Sequence, residues 1–110
     1  MDHNAIVIAD SGGMIRFWNA AAQNAFGHEP QQAIGQSLDM IVPPQYREAH
    51  WKGFRAAMAS GKAAAEGQPG PFPVRRADGK IIVARGRLTL LRDPEGLVIA
   101  AVVLFEQAAR

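Results

Sequence analysis

Three prolines stand on alternate residues, at Pro69, Pro71 and Pro73, and this spacing limits where their segment can sit. Proline has no N–H to give a sheet ladder. Successive N–H groups of an extended chain point to opposite sides, so the missing donors all fall along one side. Residues 68–76 therefore read as a loop or as an extended strand. As a strand they fit only an edge, with the proline side towards solvent. The opposite pole is Leu97-Val98-Ile99-Ala100-Ala101-Val102-Val103-Leu104-Phe105, which is almost wholly apolar and reads as the central strand.

The remaining elements fall into place around these two. Ala5 to Asp10 is a β-branched run ending in Ser11-Gly12-Gly13, and Met14 to Trp18 follows as the second arm of a hairpin. Alternation puts Phe17 and Trp18 on opposite faces, so one faces the core. Asn19 precedes Ala20 to Phe26 and reads as a helix N-cap in preference to a pocket residue, with Gly27 as the stop. Glu29 to Gly35 reads as a helical turn or two, and Gln36 to Val42 as a bridge. Lys62 to Gly67 is a small-residue linker. Along Ile81–Leu91, Ile82, Ala84, Gly86, Leu88 and Leu90 share one face; Val83, Arg85, Arg87 and Thr89 share the other. The order is two strands, several helices and three strands, which predicts an α+β fold: one five-stranded antiparallel sheet with helices packed on one face.

Composition narrows the functional classes. The 110 residues suit a single domain, 1–110, and the strands fill the chain as in a domain cut from a longer protein. With 48% apolar and 20% charged residues it is an ordinary globular sequence. A net charge of +2 is too small for a nucleic-acid surface, and no apolar run reaches membrane-spanning length. Zero cysteines exclude disulfides and thiolate chemistry and fit a reducing cytoplasm. Asp10, Asp39, Asp78, Asp93 and the glutamates fall mainly in turns or on polar faces, so no acid–base pair converges as an enzyme would need.

The stretch Pro43 to Gly61 reads as one helix, with prolines in its first turn and glycine just past its end. At the 3.6-residue period His50 shares an apolar face with Tyr46, Phe54, Ala57 and Met58. A histidine so placed is either a packed side chain or a ligand. His3 and His28 read as exposed, with no metal-ligand spacing.

The layout and four stretches resemble the PAS family. These are Ile6-Val7-Ile8-Ala9-Asp10 with Gly13-Met14-Ile15, Trp18-Asn19-Ala20-Ala21 leading to Phe26-Gly27, Ala33-Ile34-Gly35-Gln36-Ser37-Leu38, and Arg75-Arg76-Ala77-Asp78-Gly79. The resemblance implies a cytoplasmic sensory domain of a signal-transduction or transcription-regulating protein. It implies a small-molecule ligand between sheet and helices, and a homodimer through the outer sheet face around Arg85 and Arg87. Tyr46-Arg47-Glu48-Ala49-His50 with Phe54 and Gly61 resembles the heme-binding oxygen-sensor members. That implies heme b with His50 as the proximal iron ligand, and Phe54, Met58, Gln68, Gly86 and Leu88 about the cofactor. A neutral imidazole on a rigid helix among apolar neighbours suits such a role.

The chain also departs from those members. Their distal arginine falls at Gly70, a methionine ligand at Gln68, and basic propionate partners at Ala56 and Ala64. Gly86 replaces a bulky distal side chain, and Trp51 replaces a smaller residue beside His50. The implied heme site lacks the usual oxygen-stabilising donor unless Gln68 supplies one. The flavin branch is set aside for want of its cysteine. The competing reading is an interaction module whose pocket is filled by its own side chains.

Overall fold

The computed structural model describes residues 4–106. Five strands form one antiparallel sheet: β1 (Ala5–Asp10), β2 (Ile15–Trp18), β3 (Pro69–Arg75), β4 (Ile81–Arg92) and β5 (Val98–Phe105), in the order β2-β1-β5-β4-β3. The helices α1 (Ala20–Phe26), α2 (Pro30–Ala33) and α3 (Arg47–Ser60) fall between β2 and β3. The apolar run is thus the central strand, and the proline segment is an edge strand. Pro69, Pro71 and Pro73 stand opposite Arg87, Arg85 and Val83. β5 is central without being covered on both faces: Ile99 and Leu104, on its outward side, stay 46% and 38% exposed.

Local chemistry sets each junction. Asp10 builds the β1–β2 turn: its Oδ1 accepts the N–H groups of Gly12 (3.0 Å) and Met14 (3.1 Å), and its Oδ2 accepts from Arg16 Nε at 2.8 Å. Gly13 takes φ +85°, the left-handed region where a side chain is strained. Asn19 caps α1 by accepting the Ala22 N–H at 2.9 Å, and Gly27 ends it in the left-handed conformation. Residues 35–38 then run along the outer edge of β2, pairing Gly35 N–H with Ile15 O and Ile15 N–H with Gln36 O, both at 2.8 Å.

Pro43 to Gly61 is not one continuous helix. Pro44–Tyr46 form a 3₁₀ turn, and the α-helix starts at Arg47. The tighter turn rotates its side chains away from the α-helical phase. Tyr46 is therefore 45% exposed and does not join the face of His50.

The inner sheet face carries two apolar clusters. One gathers Ala5, Ile15, Trp18, Phe26, Val74 and Phe105 among others, under α1 and α2. The second joins Ala57 of α3 to Leu90, Val98 and Ala101, with Phe54, Met58, Ala63 and Leu88 packed against it. Trp18 faces the core and Phe17 lies outward, 43% exposed. Along β4 the two faces divide as the alternation requires, with Val83, Arg85, Arg87 and Thr89 exposed.

Candidate functional site

α3 buries only Ala57 fully, so its hold on the sheet comes from a few side chains. His50 is half-buried near the start of the helix. Its Nδ1 is buried with no hydrogen-bond partner. Burial pushes its pKa below the ordinary imidazole value, and the nearby Asp39 carboxylate opposes the shift. The ring is therefore neutral near pH 7, the form that can donate a lone pair to a metal.

Three rings meet here. The His50 and Trp51 centroids lie 4.7 Å apart edge-to-face, those of Trp51 and Phe54 lie 5.3 Å apart, and those of His50 and Phe54 lie 5.9 Å apart. Trp51 Nε1 donates to Asp39 Oδ1 at 2.6 Å. Arg47 fastens the same bridge by donating to the carbonyls of Val42 (3.1 Å) and Asp39 (3.0 Å). Further along the helix, Phe54 and Met58 pack against the second cluster, as does Leu88 of β4.

The structure thus brings Phe54, Met58 and Leu88 to one seam between α3 and the sheet, with His50 one turn earlier on the helix, against Phe54 and Trp51. Gly86 is buried on the same sheet face, but the room above it is taken. An added Cβ would lie 3.0 Å from Leu104 O and 3.2 Å from side-chain atoms of Val103 and Phe105. Gln68 is exposed in the turn before β3, its N–H donated to Ala65 O, and it does not join the seam. Ala56, Ala64 and Arg55 are exposed as well.

The place of His28 at an element end predicts exposure, and the structure corrects this. The residue is half-buried, 6.1 Å centroid to centroid from Trp18, whose Nε1 donates to His28 O at 2.8 Å. His3 lies outside the described residues. Among the described residues no three histidine, cysteine or carboxylate side chains cluster as metal ligands. Asn19 is a cap and more: it also lines a cleft of about 430 Å³ with Asn4, Ile6, Ala20, Ala21 and Leu104, where α1 begins. Sequence reasoning missed Asp39, whose role arises only when segments twelve residues apart fold together. It also missed Glu66, which holds the linker before β3 to β4.

A five-stranded antiparallel sheet roofed on one face by the helices between its second and third strands defines an α+β module. The chain belongs to the PAS family: the family model described as PAS fold matches residues 3–107. Oxygen sensor protein DosP of Escherichia coli (strain K12) is 30% identical over 83 residues, covering 76% of this chain and 10% of that protein. This chain therefore spans about a tenth of the length of that relative. Among solved structures, the PAS domain of a Colwellia psychrerythraea protein superposes with TM-score 0.79 at 22% identity, over 96% of this chain and 86% of that one. The Cronobacter turicensis RpfR quorum-sensing receptor PAS domain, solved in complex with BDSF, gives TM-score 0.76 at 16% identity, over 99% of this chain and 97% of that one. Both structures share the fold with this chain.

Proposed function

We propose that this chain is the sensory input domain of a longer cytoplasmic signalling protein, and that it takes a small ligand at the seam between α3 and β4. The observation that carries this reading is the buried, partnerless Nδ1 of a neutral imidazole against Phe54, one helical turn before the seam where Phe54, Met58 and Leu88 pack. Buried polar atoms without partners are rare in folded proteins and call for a reason. The sharp form of the reading is heme b, which His50 would hold through its iron while Phe54, Met58 and Leu88 would supply apolar lining. The donor chemistry fits: an uncharged ring nitrogen in an apolar setting. When bound, heme supplies a site for a diatomic gas.

The chain's own residues do the rest. Phe54, Met58 and Leu88 exclude water from the seam. Asp39 and Arg47 fix the start of α3, and so the height of His50 above the sheet. A ligand that binds one placement of α3 better than another shifts the population between them. The outer sheet face then carries the change to a second copy or to the neighbouring domain. Titration of the purified chain with hemin should saturate at one equivalent with a Soret band, and His50→Ala should abolish it. A titration indifferent to that substitution removes His50 as ligand.

A second reading has an observation of its own. Trp51 closes over Gly13 and bonds to Asp39, filling space beside His50 from within the chain. This favours a dimerising interaction module with no dedicated cofactor. Concentration-dependent dimerisation with no thermal shift from hemin would support it.

A further inference from the structure

Trp51 occupies a seat with the features of a ligand site. Its floor is Gly13, which is buried and has no side chain. A Cβ there would run into Trp51 Cη2 and Cζ3, so the benzo ring rests directly on the backbone of the β1–β2 turn. At its other end the indole N–H meets the Asp39 carboxylate at 2.6 Å, a short charge-assisted bond. The rings of His50 and Phe54 stand edge-on beside it. Asp39 is itself placed by the Ser37 hydroxyl, which accepts its N–H, and by Arg47, which holds its carbonyl. Flat floor, aromatic walls and an acceptor at one end together specify a planar bicyclic ring with an N–H on its edge.

The occupant comes from α3, an element otherwise lightly anchored, and Trp51 is itself only half-buried. Packing alone would be met by any large apolar side chain. The glycine floor and the carboxylate select an N–H heteroaromatic. We propose that this seat is a binding site for planar heteroaromatic compounds bearing a ring N–H, and that Trp51 fills it as a tethered internal ligand. Tethering gives the side chain a high effective concentration, so a free competitor of the same shape displaces it poorly. A competitor that wins releases the first half of α3 from the β1–β2 turn. This goes beyond the reading of His50 and does not depend on heme: loss of a Soret band tests the imidazole, whereas occupation of the seat is read without hemin.

The test uses the whole chain, with Trp51→Ala and Trp51→Leu, and indole as the probe. A void lined by protein takes up small aromatics when its occupant is deleted. Millimolar indole should raise the melting temperature of each variant by roughly 5 °C and shift the wild type by about 1 °C or less. 1-Methylindole, which has no N–H, should bind the variants several-fold more weakly, and adding Asp39→Ala should erase that preference. If Trp51→Ala is unfolded alone, recovery of its far-ultraviolet spectrum with indole is the expected result. The proposal is overturned if indole neither stabilises nor refolds both variants, if it shifts the wild type equally, or if 1-methylindole binds as well as indole.

Discussion

Glu66 Oε2 accepts the backbone N–H of Leu90 at 2.9 Å, at a point where β4 has run beyond its neighbour. β3 begins with Pro69 opposite Arg87, so Leu88 to Arg92 have a strand on one side only. The linker takes the missing place: Gly67 N–H reaches Leu88 O at 2.8 Å, and the Glu66 carboxylate serves as the next rung. Arg92 completes the tie, donating to Glu66 Oε1 at 3.2 Å and to Gly61 O, just past α3, at 2.7 Å.

This tie depends on charge. The Arg92 guanidinium first, and the Leu90 N–H second, hold the Glu66 carboxyl below its ordinary value of 4.5. A carboxylate whose pKa is lowered on folding contributes stability above the unfolded value, and that contribution is lost as pH falls through the folded one. Amide hydrogen exchange at Leu90 should speed up in Glu66→Ala at neutral pH. Glu66→Gln keeps an acceptor, so it should retain more of the protection while losing the acid dependence. Equal exchange in all three proteins would show that the carboxylate does not close this edge.

Asn19 ties the start of α1 to the start of β1 with one side chain. Its Oδ1 accepts the N–H groups of Ala22 and Ile6, at 2.9 and 3.0 Å, and its Nδ2 donates to Asn4 O at 2.9 Å. Asn19→Ala loses the cap and strands the Ile6 N–H, so it should cost about 2 kcal/mol in denaturant unfolding. Asn19→Asp keeps both accepted bonds and should cost about half as much. An Ala variant as stable as the wild type would contradict the cap.

The histidines set the response to acid. Burial lowers the pKa of His50 against the pull of Asp39, and burial lowers that of His28 with help from Arg75. The unfolded chain protonates near the ordinary value of 6.5, while the folded chain resists until lower pH. The unfolded state then binds more protons, so stability falls as pH drops below that value. Between about pH 7.5 and pH 5.5 the urea midpoint should fall, and His50→Gln and His28→Gln should each flatten part of the fall. A midpoint that holds steady or rises would contradict the neutral, buried state of both rings.

The sheet was legible because its signals are local. Alternate prolines mark an edge, the apolar run Val98–Phe105 marks the centre, and Asn19 with Gly27 brackets α1. The gathering of Phe54, Met58 and Leu88 at one cluster follows from helical and strand periodicity together. Tyr46 was misplaced because a 3₁₀ turn precedes the α-helix and breaks the period. Gln68 was misplaced because the linker folds along β4 and leaves that side chain in solvent. Gly86 lost its opening to the Val103 and Phe105 side chains of β5. The Trp51–Asp39 bond and the Glu66 rung join distant segments through single side chains, and no periodicity announces such contacts.

The absorption spectrum of the domain as isolated from heme-replete cells, wild type beside His50→Ala, bears most directly on the ligand seam. A Soret band in the wild type that is absent from the variant is the predicted result. Bands of equal intensity in both, or none in either even after hemin is added, would contradict His50 as an iron ligand in that seam.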